Sequence, residues 1–191
     1  MVSATHHRFD FAEYVELEAN STVKHEFLDG RVFAMAGGSP EHAAITANVA
    51  RLIGNALAGR PCRVYSPDLR VRVPDTGLGT YPDVSVVCGA VELDPSDPKQ
   101  LTVTNPLLLV EVLSPSTEDY DRGEKLGHYK HIPSLVEVVF VAHDRHEVEV
   151  VRREKDGSWS RHVGHEGETV RLTSLGCELS VSAIYENPLA R

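Results

Sequence analysis

Between Leu107 and Leu113 the chain reads Leu-Leu-Leu-Val-Glu-Val-Leu, and Glu111 alone in that run is polar. A segment so short, so apolar and so rich in Leu and Val is the pattern of a strand covered on both faces, at the middle of a sheet. It commits the chain to a layered fold containing β-structure. It also poses a chemical problem, because an isolated ionised carboxylate in apolar surroundings is very costly. Glu111 must be protonated, paired with a cation such as Arg70 or Arg72, or bound to a metal ion.

The flanking sequence supplies the other layers. Asp10 and Glu13 have capping-box spacing, and Phe11, Tyr14 and Val15 follow at helical intervals, which predicts a helix to about Ala19. Asp29-Gly30 separates His25–Leu28 from Arg31–Ala36, a hairpin signal because both turn residues tolerate positive φ. Ser39 and Pro40 start a second helix with Ile45, Val49, Leu52, Ile53, Ala56 and Leu57 on one face, and Gly59 ends it. Val64–Ser66, Leu69–Val73 and Pro82–Cys88 read as strands, with Pro74-Asp75-Thr76-Gly77 as a turn. Residues 89–105 read as a loop, and Gly77-Leu78-Gly79 as a turn. Tyr120–His131 reads as helical; Leu135–Ala142 and Glu147–Arg152 read as strands, and a β-rich edge follows to Val181–Tyr185. The fold class is α+β around one central mixed sheet flanked by helices, with an N-terminal helix and hairpin. The 191 residues suffice for a core without staples, so the reading is a single domain over 1–191, its core about 10–155 and its β-rich C-terminal part 156–191.

Charge and cysteines narrow the function. Lys and Arg number 19 against 28 Asp and Glu, a formal net charge of -9, which excludes holding nucleic acid by bulk electrostatics. Cys62, Cys88 and Cys177 are odd in number and far apart, so no disulfide framework is expected, and a reducing cytoplasm fits. Neither a leader-like apolar run at the N-terminus nor a membrane-spanning stretch is present, and no membrane partner is expected.

A second acid stands out of place: Asp83, after Pro82, opens an apolar strand. Two carboxylates on neighbouring strands, with the Val112 carbonyl between, could give three hard oxygen ligands to one face of a Mg²⁺ octahedron. Such an ion acidifies a bound water and offsets charge on a phosphodiester under attack.

These residues belong to an ordered series. Glu26-Phe27-Leu28-Asp29-Gly30, Ser39-Pro40-Glu41-His42, Pro82-Asp83, Glu111-Val112-Leu113-Ser114-Pro115-Ser116-Thr117, and Asp121-Arg122 with Lys125 and Tyr129 resemble the Uma2 family of restriction-endonuclease-like proteins. That family lies in the PD-(D/E)xK nuclease group, and the resemblance spans roughly residues 10 to 145; an ordered series is far more specific than one short motif. The parent motif has lysine two residues after the glutamate, where this chain has Leu113; the family supplies it from the following helix, and Lys125 is the matching position. The resemblance implies a restriction-endonuclease-like core in which Asp83, Glu111 and the Val112 carbonyl bind Mg²⁺ (or Mn²⁺). Lys125 then acts on water and transition state, and DNA phosphodiester hydrolysis is the reaction. His42 lies on the helical face of Ile45 and Val49, and reads either as a site residue or as a core histidine. Glu26 and Glu41 are further acidic candidates behind the ligands.

Other patterns compete less well. His128/His131, His143/His146 and His162/His165 have i, i+3 spacing, but no H-E-x-x-H accompanies them and zinc hydrolysis is disfavoured. Ser114 has no G-x-S-x-G around it, and with Thr117 it reads as a helix cap. Arg70 and Arg72 share a strand face and are the candidate substrate-binding cations, with Arg60, Arg63, Lys24 and Arg31 as extensions of a basic strip. A homodimer could join two such strips. Two functions follow: a cytoplasmic Mg²⁺-dependent DNA endonuclease, or a nuclease-fold accessory protein with weak or no turnover.

Overall fold

The computed structural model describes residues 7–187; residues 1–6, where the N-terminal stretch discussed above begins, and residues 188–191 lie outside the described residues. Helix α1 (Phe11–Asn20) opens with both capping-box bonds, Asp10 accepting from the Glu13 amide and Glu13 from the Asp10 amide, each 2.8 Å. Its buried face, Phe11, Tyr14 and Val15, packs on Phe27 of β1 (His25–Leu28). The hairpin to β2 (Arg31–Ala34) turns through Asp29 and Gly30 at φ 46° and 77°, the doubly positive turn that an Asp-Gly pair accommodates. Helix α2 (Pro40–Ala56) starts at Ser39, whose hydroxyl accepts from the His42 amide at 3.1 Å.

The central sheet has six strands in the order β11-β10-β9-β8-β6-β3: β3 (Cys62–Tyr65), β6 (Val84–Cys88), β8 (Leu108–Val112), β9 (Glu137–Val141), β10 (Glu147–Arg153) and β11 (Trp159–His165). Among the described residues of this sheet, only β8 and β9 pair in parallel. β8 is buried throughout. Leu108, Val110 and Val112 face α2 and meet Ile45, Val49 and Ile53, whereas Leu109 and Leu113 face the other layer with Phe140, Leu126 and Tyr129. Burial on both faces is what the apolar run demanded.

A second sheet runs β2-β1-β5-β4-β7, through β4 (Arg70–Val73), β5 (Leu78–Thr80) and β7 (Thr102–Val103), and β12 (Thr169–Leu172) pairs with β13 (Cys177–Ser180) apart. The expectation of one sheet is thus corrected to a central mixed sheet with a second large sheet and a hairpin. The segment read as a turn, Gly77-Leu78-Gly79, turns only at Gly77 (φ 80°) and then enters β5; the stretch read as loop contains β7, parallel to β4. Strands of three and two residues carry too little alternation to be visible as a pattern. The chain α3, between β8 and β9, consists of Glu118–Tyr120, a π turn over Asp121–Lys125, and Leu126–Tyr129; α4 (Val181–Ile184) follows β13. No helix among the described residues is long and apolar enough to cross a membrane.

The cysteines also require a correction. Cys62 and Cys88 are disulfide-bonded, being opposite one another in the β3–β6 register, while Cys177 is free. Strand register, which decides the pairing, is invisible in spacing along the chain. The inference of a reducing compartment from unpaired cysteines no longer applies.

Candidate active site

Four elements converge on a cleft of about 440 Å³. β1 contributes Glu26, the approach to β6 contributes Asp83, the end of β8 contributes Glu111 and Val112, and α3 contributes Tyr120, Asp121 and Lys125; His42, near the start of α2, also borders it. The β6–β8 register pairs Val84 with Val110, which brings the next residues, Asp83 and Glu111, to the same end of the sheet. Bulges of the π type recur where helices carry function. Here the turn sets Asp121 and Lys125 together on the buried side, Nζ 3.3 Å from Oδ1.

Lys125 is the hub. Its side chain is 5% exposed, and Nζ lies 3.0 Å from Glu111 Oε1 and 3.1 Å from Glu26 Oε1 in addition to Asp121. An ammonium has three donors, and three carboxylates face them. Burial alone would discharge it, yet Glu111, Tyr129, Glu26 and Asp121 outweigh burial and hold Lys125 well above its ordinary range. Glu111 shows the opposite balance. Burial, reinforced by Asp121 and Asp83, pushes its carboxyl up from 4.5 to about 8 against the pull of Lys125 and the Tyr129 hydroxyl. Glu26 also accepts from the Thr80 hydroxyl at 2.5 Å.

Asp83 is fixed from the other side. Its Oδ2 accepts the Val112 N–H at 2.7 Å and lies 3.3 Å from His42 Nε2. The hydrogen bond to Asp83 raises the His42 imidazole above its usual range despite partial burial, and the Val112 backbone adds to the effect.

The donor set can be tested against a divalent ion. Glu26, Asp83, Glu111 and Asp121 bring four carboxylates into a cleft whose cationic groups are Lys125 and, when protonated, His42 and His143. Among the described residues no three His, Cys, Asp or Glu side chains close on one point as a metal cage. Asp83 and Glu111, with a backbone carbonyl at Val112, are hard oxygen donors in a site with surplus negative charge. That set fits an octahedral ion that keeps several waters, such as Mg²⁺, and not a thiolate or imidazole centre.

Of the residues singled out from sequence, Asp83, Glu111, Val112, Lys125, His42 and Glu26 come together here. Glu41 does not: it is exposed on the first turn of α2. Arg70 and Arg72 are also elsewhere, a correction to their reading as substrate-binding cations. Arg70 is buried, bonded to Thr102, Tyr81 and Asp97. Arg72 pairs with Asp94 at 3.7 Å and packs on the Phe11 ring. Alternation showed that the two share a face, but not that helix α1 and the segment around Asp94 and Asp97 cover it. Nor does either one partner Glu111, whose cation is Lys125.

The histidine pairs hold no common ligand: His128 is near Glu124, His146 near Glu166, and His165 near Glu147. Thr117 occupies the N-cap position of α3, but its hydroxyl meets Ser114 at 2.9 Å and caps no amide. Asp121, which meets Lys125 at i, i+4, and Tyr129, which donates to Glu111 Oε1, had no signal beyond their places in the motif series, and Tyr120, which lines the cleft, had none at all.

Comparison with known proteins places the chain in a family and identifies a shared fold. The family model Uma2, described as "putative restriction endonuclease", matches residues 11–183. An uncharacterized protein of Synechocystis sp. is 38% identical over 174 residues, covering 91% of this chain and 89% of that protein; a second from the same organism is 35% identical over 159 residues, covering 83% and 89%. A crystal structure from Anabaena variabilis, described as a "putative nuclease belonging to DUF820", superposes with TM-score 0.72 at 20% identity, over 91% of this chain and 95% of that one, which establishes a shared fold. With a match that runs from the first turn of α1 into α4, the chain belongs to the Uma2 family of restriction-endonuclease-like proteins.

Proposed function

We propose that this protein is a Mg²⁺-dependent endonuclease, served also by Mn²⁺, that hydrolyses DNA phosphodiester bonds in the cleft between β1, β8 and α3. The observation that carries the reading is the meeting of Lys125 Nζ with Glu111 Oε1 at 3.0 Å, from a helix that follows the strand rather than from the strand itself. Asp83, Glu111 and the Val112 carbonyl would hold the ion. When bound, the ion supplies acidification of a water and charge neutralisation at phosphorus.

The protein's own groups do the rest. The Val112 amide and His42 orient Asp83, so that its carboxylate is presented without rearrangement. Tyr129 and Lys125 both engage Oε1 of Glu111 and fix that carboxylate in one rotamer. As substrate enters, Lys125 exchanges one carboxylate partner for the attacking water or for a phosphoryl oxygen, where an ammonium stabilises developing negative charge.

A second reading, a nuclease-fold accessory protein with little turnover, has one observation in its favour. Each of the three donors of Lys125 already has a carboxylate to meet, so none is free for substrate in the ground state. The two readings separate on cleavage of plasmid and single-stranded DNA with Mg²⁺ or Mn²⁺, comparing the natural chain with Asp83→Ala, Glu111→Gln and Lys125→Ala. Cleavage lost in all three supports the site. Cleavage that survives all three removes it, and ion binding without cleavage of any tested nucleic acid favours the accessory role.

A further inference from the structure

Glu26 and Phe33 face each other across the β1–β2 hairpin, and directly opposed residues of an antiparallel pair project to the same side of a sheet. Glu26 uses that side to hold Lys125. Phe33 therefore stands beside the catalytic cluster, one strand further out, where it lines the cleft and remains 46% exposed. Alternation along β2 puts Arg31 on the same side, and its guanidinium lies over the Phe33 ring, 5.7 Å from the centroid. β2 is the outer strand of its sheet. The hairpin is already anchored by its opposite side, where Phe27 and Val32 pack with α1, so the exposed aromatic is not needed to hold β2 in place.

The charge distribution says what this ring can serve. A duplex binder draws affinity from several phosphate-neutralising cations, but the basic strip expected from sequence is largely consumed inside the protein. Lys24 pairs with Asp68, Arg70 with Asp97 and Arg72 with Asp94, and Arg60 donates to the Leu175 carbonyl. Arg31, by contrast, forms no ion pair among the described residues and lies over the ring of Phe33, which lines the cleft. A polynucleotide that reaches an acidic cleft on a protein of net charge -9 must be held largely by something other than charge. Stacking of a base on an exposed aromatic ring is such a means, tolerates any base, and requires that the base be unpaired.

We propose that Phe33 is a stacking platform for an unpaired base, with Arg31 contacting an adjacent phosphate, so that the substrate class of this site is single-stranded or locally unpaired polynucleotide. The inference rests on the nuclease reading for the identity of the ligand, and its test is arranged to be independent of turnover.

Binding of a fluorescently labelled strand of ~12 nucleotides, and of the blunt duplex of the same sequence, is measured by anisotropy with Ca²⁺ in place of Mg²⁺. The single strand is expected to bind more tightly than the duplex. Phe33→Ala weakens it about tenfold, Phe33→Trp retains it, and Phe33→Leu does not restore it. Arg31→Ala lowers the salt dependence by about one contact, a slope change of about 0.7. Because Phe33 is exposed, the variants keep the melting behaviour of the natural protein, which circular dichroism checks. Phe33→Ala binding as tightly as the natural chain, a duplex preference indifferent to Phe33, or no binding of either probe overturns the proposal. So does self-association in sedimentation that Phe33→Ala abolishes while nucleic-acid binding is unchanged, which would assign the face to a second copy. Phe33-dependent binding with no cleavage in Mg²⁺ or Mn²⁺ supports the platform and defeats the nuclease reading; cleavage with Phe33-independent binding does the reverse.

Discussion

Tyr129 donates its hydroxyl hydrogen to Glu111 at 2.5 Å, on Oε1, the oxygen that Lys125 also meets. Both donors rise from α3, four residues apart, on either side of the junction where the π turn ends and α-helix resumes. With one oxygen held by the protein, the other is the one available to a ligand. A buried acid in an apolar strand is thus tolerated by a helix wound to deliver two donors to a single atom.

Removing one of those donors tests this. Tyr129→Phe keeps the packing of a fully buried ring and loses only the hydroxyl. Above about pH 8, where Glu111 is ionised, a hydrogen bond to a charged group is worth about 1.5–3 kcal/mol, so thermal melting there should show destabilisation of that order. The Glu111 carboxyl, losing a partner that favours its ionised form, should titrate still higher. The pH profile of cleavage should therefore move to the alkaline side. A variant with unaltered melting and an unaltered profile would deny the bond its role.

The titration of Glu111 has its own signature. Its folded-state pKa of about 8 lies above its ordinary 4.5, with burial as the main cause. Between those values the folded chain binds more protons than the unfolded one, so the group's contribution to stability is complete below about pH 4.5 and is lost as pH rises through about 8. On the proposed reading, ion binding would need the carboxylate, release its proton, and tighten over the same range. Metal-free protein should melt at lower temperature at about pH 8.5 than at about pH 6, while the stabilisation given by Mg²⁺ grows. Both trends should flatten in Glu111→Gln, and a Mg²⁺ effect constant with pH would contradict the assignment.

Lys125→Met asks what the ammonium does. It leaves Glu26, Glu111 and Asp121 packed together without their cation. Breaking a buried pair in this way costs about 3–5 kcal/mol, and the deficit should deepen with rising pH as the carboxyls are forced to ionise. Cleavage should fall by about 10²-fold or more. Lys125→Arg should not restore it, because a planar guanidinium fork cannot occupy the three-carboxylate socket of a compact ammonium. Full activity in Lys125→Arg would show that any cation suffices.

How far the sequence foretold this site follows from what each feature depends on. The buried strand was legible because a run such as Leu107–Leu113 admits few other conformations, and Glu111 within it was legible as an anomaly. The hairpin at Asp29-Gly30 and the caps at Asp10 and Ser39 were legible because their chemistry is local. Lys125 was reached through the motif series rather than through any local signal, since a lysine four residues after an aspartate on a helix is ordinarily solvated. What stayed hidden depends on register and on the partner layer. The seating of α1 and of the segment from Asp97 to Thr102 against β4, which buries Arg70, and the alignment of Cys62 with Cys88 arise only when distant segments meet.

Arg70 consequently gives a prediction opposite to the one its strand pattern suggested. It joins β4 to β7 through Thr102 at 2.7 Å and to the segment before β7 through Asp97 at 3.3 Å, and Asp97 also accepts from the amides of Lys99 and Leu101. Arg70→Met leaves Asp97 buried and without its cation, and should cost about 3–5 kcal/mol. The salt dependence of DNA binding and the cleavage rate per folded molecule should not change. A slope lowered by about 0.7–0.9, the value of one phosphate contact, would return Arg70 to the substrate surface.

The disulfide supplies the last test, and it concerns the strand that carries Asp83. Cys88 ends β6, whose other end follows Asp83, and the bond to Cys62 closes a segment with a sequence separation of 26 residues. Restricting an unfolded loop of that length is worth about 3.5 kcal/mol on the chain-entropy account. Cys88→Ser, or reduction of the natural chain, should lower the melting temperature accordingly, whereas Cys177→Ser should leave it nearly unchanged because that thiol is unbonded. Because the lost stability comes from the unfolded state and the pairing of β3 with β6 persists, cleavage by the folded reduced protein should be retained. Alkylation of the native, unreduced protein followed by mass spectrometry should label one cysteine, Cys177. Labelling of all three without reductant would show that Cys62 and Cys88 stand in register as free thiols.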